Sequence, residues 1–332
     1  NLTINGAGQT GTVVLSGSNT YTGTTTISGG VLSISADNNL GTISGLNTAA
    51  ITLSGGGALR VTADVTLVSN RGITLGASGG GLQAASTKTL TYGGVITGGY
   101  DLTINGSSQT GTVVLSGTNT YTGITTISGG ILSIGSESNL GATPSYTVAN
   151  QIYLNGGALQ VTADVSLDAK RGITVGSSGG GLAATSGKTL TIPGYITSDS
   201  TYALTINGAS QTGTVLLSGD SYSYVNSYEQ ITVTAGTLAI SNGGALGQYN
   251  SASYNTIVSV GGALDLQGAI SVNEKITLNG GTLKTSTGSA TLGGTIALGD
   301  NSTIEVGGTQ LTLSGVISGA SYGITKTGSG TL

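Results

Sequence analysis

The sequence predicts an all-β chain wound as a parallel β-helix, a β-solenoid with three short strands per rung. Three observations carry that expectation: a repeat of about a hundred residues, strand-length apolar runs of period two, and regularly spaced Gly-rich punctuation. NLTINGAGQTGTVVLSGSNTYTGTTTISGGVLSIS opens at Asn1, and DLTINGSSQTGTVVLSGTNTYTGITTISGGILSIG opens at Asp101. A fainter copy, ALTINGASQTGTVLLSG, starts at Ala203, and a fourth begins at Ile324 as ITKTGSGTL. The implied organisation is one continuous solenoid over 1–332, with repeats 1–100, 101–201 and 202–322 and the start of another at 323–332. A module interrupted in mid-motif, in a chain that opens on Asn without a signal peptide, reads as a segment of something longer.

Along the first repeat the strand candidates are Thr12 to Leu15, Thr24 to Ile27, Val31 to Ile34, Ile51 to Leu53, Ala58 to Val61, Val65 to Leu67, Ile73 to Leu75 and Thr89 to Thr91. Many alternate an apolar residue with Thr or Ser, as in Leu2-Thr3-Ile4 and Ile51-Thr52-Leu53, which puts Leu, Ile and Val on one face. Asn-Gly pairs at Asn5, Asn105, Asn155, Asn207 and Asn279 supply residues that accept positive φ at corners. Hairpins with Asn-Gly turns are the competing reading and would give a β-sandwich or an antiparallel β-solenoid. Regular turn spacing, and the inability of any one unit to close its own core, favour the parallel coil. The third repeat is longer by roughly twenty residues, about one rung of three short strands and their turns. Ser289 to Gly308 is the candidate for that rung. Stacked equivalent positions then form ladders, apolar inside and Thr or Asn outside, and the Tyr hydroxyls are expected at the surface.

Composition excludes several classes. The chain has 61 Gly and two Pro, and no Cys, Met, Trp, Phe or His. Without Cys there is no disulfide, thiol chemistry or Cys-based metal site. A net charge of −4, with charges spread singly, argues against a nucleic-acid partner. No apolar stretch is long enough to span a membrane as a helix.

Gly11 to Ile34 and Gly111 to Ile134, followed by Asn-Asn-Leu-Gly (Asn38 to Gly41) and Ser-Asn-Leu-Gly (Ser138 to Gly141), run close to the pattern G-x-L-x-L-S-G-x-N-T-Y-x-G-x-T-x-I-x-x-G-x-L. In this they resemble the passenger-associated repeat of autotransporter-type proteins. The likeness covers about thirty residues in each of the first two repeats and weakens in the third, where SGDSYSYVNSYEQITVTAGTLAI replaces the motif. The resemblance implies a right-handed parallel β-helix, exported and displayed outside a bacterial cell, often for adhesion, autoaggregation or matrix building.

Sites of chemistry are hard to assemble. β-Helix enzymes that act on glycans need clustered carboxylates. Here Asp64, Asp164, Asp168, Glu229, Asp265, Glu274, Asp300 and Glu305 stand alone in sequence. Asp64 and Asp164 occupy one repeat position, which suggests a turn or cap, and Arg71 and Arg171 recur as their candidate surface partners. Gly79-Gly80-Gly81 and Gly179-Gly180-Gly181 lack the following Asp of a calcium repeat. No catalytic, cofactor or metal site is expected. Thr arrays suggest an ice-binding face, but their spacing differs between repeats. Asn19, Tyr21 and Gly23, with Asn119, Tyr121 and Gly123, are expected to be turn residues of the repeat motif. Tyr222, Tyr224, Tyr228, Tyr249 and Tyr254 form the candidate adhesive or inter-subunit surface, because Tyr is favoured at interfaces.

The function expected is a non-catalytic extracellular stalk or filament subunit, stacking head to tail in a cell-surface or matrix fibre. The alternative is an adhesin passenger segment that mediates attachment to a host or neighbouring cell, or autoaggregation.

Overall fold

A computed structural model describes residues 1–6, 8–199, 203–219, 230–247 and 255–332. The contacts divide the chain into two compact units, Asn1–Gln160 and Val161–Leu332. Each is a coil of short parallel strands, and every strand pairing recorded among the described residues is parallel apart from one isolated bridge, Ser259 with Gly280.

In the first unit the coil has three sides. Side I stacks Leu2–Ile4, Thr25–Ile27, Asn47–Leu53, Arg71–Leu75 and Ile96–Gly98. Side II runs from Thr12–Leu15 through Val31–Ile34, Gly57–Val61, Gly80–Ala84, Leu102–Ile104 and Thr125–Ile127 to Val148–Leu154. Side III holds Val65–Leu67, Thr89–Tyr92, Thr112–Leu115 and Ile131–Ile134. Period two decides what faces inward. On side I the column Ile4, Ile27, Leu53, Leu75 lies in the core, while Thr3, Thr26, Thr52, Thr74 and Thr97 form the outward ladder. Neighbouring hydroxyls on that ladder bond along the axis, as Thr74 does with Thr97 at 3.2 Å.

The three-strand rung has a variant. Between Leu15 and Thr25, and again between Ile34 and Asn47, side III carries no strand. Loop 16–24 and the 3-10 turn Asp37–Leu40 fill that side instead. The second copy repeats the substitution, with a 3-10 turn at Glu137–Leu140.

Four turns lead from Leu2–Ile4 to Ile96–Gly98 on side I, and the next strand, Leu102–Ile104, falls on side II. Leu102–Ile104 is the second copy of Leu2–Ile4. The whole second repeat is therefore displaced by one side. TVVL of Thr12–Leu15 sits on side II and TVVL of Thr112–Leu115 on side III; TTI of Thr25–Ile27 sits on side I and TTI of Thr125–Ile127 on side II. Loop 119–122 then caps side I: Thr120 and Thr122 donate their backbone N–H groups to Ile96 and Gly98 at 2.9 and 3.0 Å.

The second unit follows the same rule. Ala203–Ile206, Gln230–Val233, Asn255–Ser259, Ile276–Asn279, Ile296–Asp300 and Ile317–Ser318 stack in one sheet, and the next strand, Ile324–Thr327, lies on the following side. Five turns plus one side separate the third repeat start from the fourth. An added rung keeps the step because it adds three sides together. Ser289–Leu292, Ile296–Asp300 and Ser302–Val306 make one complete turn in the stretch singled out from sequence.

Candidate functional site

The repeat motif is the one constellation that recurs, and its geometry is best read in the two copies of the first unit. It begins at the Asn-Gly corner. Asn5 and Asn105 hold φ of 52° and 54°, and Asn207 in the third copy holds 50°. Each Nδ2 donates to the glycine carbonyl six residues on (Gly11, Gly111, Gly213) at 2.9 to 3.0 Å. Each also reaches the next rung, at Gly29, Gly129 and Ala235. A short polar side chain that tolerates the left-handed region and closes its own turn is what Asn provides.

Asn19 and Asn119 tie the loop to the 3-10 turn above. Their Nδ2 atoms donate to the carbonyls of Asn39 and Asn139 at 2.7 and 2.6 Å. Asn119 Oδ1 also accepts the Ile96 N–H at 2.8 Å. Asn39 and Asn139 are buried and cap that turn, each accepting two backbone N–H groups and donating to Gly17 or Gly117. Gly23 and Gly123 are close-approach residues. A Cβ on Gly23 would meet Asn1, and one on Gly123 would meet the Tyr100 carbonyl, both inside 2.6 Å.

Tyr21 and Tyr121 correct the expectation of surface tyrosines. Tyr121 is fully buried and Tyr21 half-buried, and their hydroxyls bond to Thr25 and Thr125 at 2.7 to 2.9 Å. Both threonines point into the core column, so the Tyr-to-Thr spacing of four supplies a partner for a buried hydroxyl. Tyr92 is buried as well, its hydroxyl donating to the Arg71 carbonyl at 2.9 Å, and burial pushes that phenol's pKa up. The core therefore accepts an aromatic ring where its polar tip has an acceptor.

Arg71 is a second correction. It is buried and pairs with Asp37, not with Asp64, its Nη2 lying 3.2 Å from Oδ2. Nη1 and Nη2 also donate to the carbonyls of Leu40 and Gly41 at 2.9 and 3.1 Å. The guanidinium thus clamps the end of the 3-10 turn to the side I strand Arg71–Leu75. Asp64 and Asp164 each accept a backbone N–H from the following rung, of Thr89 and Thr189, at 2.8 Å. They are corner caps.

Glu274 and Asp265, lone acids in the sequence, are both buried, which no sequence pattern signalled. Glu274 is 5% exposed, and burial raises its pKa to about 7. Among the described residues no group of three or more acids could hold a metal ion, and no helix is long and apolar enough to cross a membrane. Tyr222, Tyr224, Tyr228, Tyr249 and Tyr254 lie outside the described residues.

A repeat whose marked residues all brace a tier of a β-solenoid defines a class, the β-solenoid repeat protein. Residues 9–34 and 108–134 match the passenger-associated-transport-repeat family. Over 177 residues, 50% of this chain, the sequence is 36% identical to Adhesin BmaC autotransporter of Brucella suis biovar 1 (strain 1330). The matched stretch spans 5% of that protein's length. No solved structure matches the chain significantly. The chain thus carries autotransporter-type passenger repeats on a β-solenoid fold, which places it outside the cell or on its surface.

Proposed function

We propose that this chain is a non-catalytic shaft segment of an adhesin passenger, holding attachment surfaces along a stiff stacked axis, and that residues 1–332 form one continuous solenoid. The observation that carries the proposal is the use made of the repeat motif: Asn19, Asn39, Tyr21 and Gly23 brace a rung, and none offers reactive chemistry to solvent. The adhesin relative supports the attachment role. Isolated acids support the absence of catalysis, since Asp64, Asp164 and Asp37 are each engaged in backbone capping or the Arg71 clamp.

Beads coated with residues 1–332 test the attachment reading. They should adhere to cultured animal cells or clump with one another more than beads coated with an unrelated protein. Equal adherence of both bead types would contradict it. Incubation with pectin-like polysaccharide should release no reducing ends. The Tyr222 to Tyr254 cluster is retained as a candidate contact surface, and replacing Tyr222, Tyr224 and Tyr228 by Ser should lower bead adherence if it is one.

End-to-end stacking into a fibre is the second reading. Val316, Ile317 and Tyr322 are exposed apolar side chains that another rung would cover. Electron microscopy of the purified chain separates the two, because stacking predicts fibres with an axial repeat whereas the shaft reading predicts short rods.

A further inference from the structure

On the outer face of side II in the first unit lies a hollow of about 200 Å³. Gly80 and Gly81 lie at its floor, and Gln83, Asp101, Thr103 and Thr126 stand around it. The column Ala58, Gly81, Thr103, Thr126 runs through it in strand register. Glycine creates the space, because any side chain at Gly81 would project into it, against Ala58 Cβ at 3.2 Å and the Thr103 carbonyl at 3.3 Å.

The polar groups around that floor are largely uncommitted. Among the described residues, the side chains of Gln83, Thr103 and Thr126 make no hydrogen bond. Asp101 uses Oδ1 to accept the Ile124 N–H at 2.8 Å, which leaves its other oxygen as an acceptor. An amide, a carboxylate oxygen and two hydroxyls thus converge on a small concave floor. Convergent polar groups in a hollow are the usual mark of a ligand site.

The chain contains its own control. In the next repeat the column survives as Gly181, Thr205, Thr232. The positions of Gln83 and Asp101 are Ala183 and Ala203 there. A fold that forms with alanine at both places does not require the glutamine and the aspartate. Asp101 Oδ1 has its cap on Ile124, but its second oxygen and the Gln83 amide make no hydrogen bond among the described residues.

We propose that this hollow binds one neutral sugar residue of a glycan. Gln83 and the free Asp101 oxygen would take vicinal hydroxyls, Thr103 and Thr126 a third, and the glycine floor would receive the C–H face of the ring. Asp101 carries negative charge into the site, which disfavours uronic and sialic acids. The inference rests on the attachment reading only for its biological use.

The test is an amide-resolved NMR titration of the 332-residue chain with methyl glycosides of glucose, galactose, mannose and N-acetylglucosamine, with methyl sialoside as the anionic control. At least one neutral glycoside should shift the amides of Gly80, Gly81, Gln83 and Thr103. The double variant Gln83→Ala with Asp101→Asn should weaken that binding by about tenfold or more, the loss expected for removing a charge-assisted hydrogen bond. Asn at position 101 keeps the corner cap, as Asn1 does by accepting the Thr24 N–H at 3.0 Å, so the variant should fold. Competition by the bound glycoside for a glycan-coated surface distinguishes a chain-borne sugar from a free one. Shifts absent with every neutral glycoside, retained in the double variant, or produced by the sialoside alone would overturn the proposal. Unmoved amides alongside adhering beads would sink the hollow and leave the attachment reading intact. Sugar binding by beads that do not adhere would do the reverse.

Discussion

At the scale of single residues, the chain places its few charges and rings where stacking needs them. Arg71 shows how. Its clamp spans 34 residues to Asp37, so no local pattern announces it, and the recurring Asp64 was the more visible candidate in sequence. Arg71→Ala should destabilise the first unit by about 3 kcal/mol, because it strands Asp37 and two buried carbonyls. Asp37→Asn should cost less, since Leu40 and Gly41 still receive the guanidinium. Denaturant unfolding of the two variants checks the order. Tyr121→Phe should cost about 1 kcal/mol by leaving Thr125 without its partner, and Tyr21→Phe less, the site being half open to water. Glu274 gives a pH signature. Its folded pKa of about 7 lies above the unfolded value of 4.5, so the folded state holds the proton more tightly. The stability this group lends is full below pH 4.5 and is lost as pH rises through 7, by on the order of 3 kcal/mol. Glu274→Gln should flatten that slope in thermal melts between pH 4 and pH 8. An unchanged slope would show that the carboxyl finds water in the folded state.

At the scale of elements, alternation and punctuation made most strands legible. Leu2–Ile4, Val31–Ile34 and Val65–Leu67 fall where Thr-apolar alternation and Gly or Asn corners put them. The 3-10 turn at Asp37–Leu40 was not legible, because Asp-Asn-Asn-Leu carries no apolar period and its capping residue, Asn39, draws partners from Ser35, Ala36 and Gly17. The stretch singled out as an extra rung makes one complete turn to within a residue. Ser289 pairs with Gln310 and Ile296 with Ile317, an offset of 21 rather than the twenty residues from Ser289 to Gly308. Excision of 289–309 should therefore join Gly288 to Gln310 in register and give a cooperatively folding chain. Excision of 289–308 slips the following strand by one residue and turns Leu311 and Leu313 outward. Circular dichroism melts of the two deletions should show a sharp transition for the first and a broadened or lowered one for the second.

At the scale of the whole chain, the hundred-residue repeat was plain in sequence but its geometry was not. Residue counting gives a period; the step appears only when sides are counted, because loops 16–24 and 116–124 each stand in for a strand. Within the first unit the outward Thr ladder and the braced loop of each repeat turn up one side further round the axis than the last. Within that unit the first repeat and the start of the second consequently present equivalent surfaces on different sides. The sequence has no cysteine, so the step can be tested by pairs of introduced ones. Thr91 and Val114 are register partners on side III. The Thr91→Cys/Val114→Cys variant should close a disulfide on mild oxidation, detected by peptide mapping. An unstepped repeat would instead return the strand Thr112–Leu115 to side II over Gly80–Ala84. Gln83→Cys/Val114→Cys would then close while the first pair stayed reduced, and that result would contradict the account.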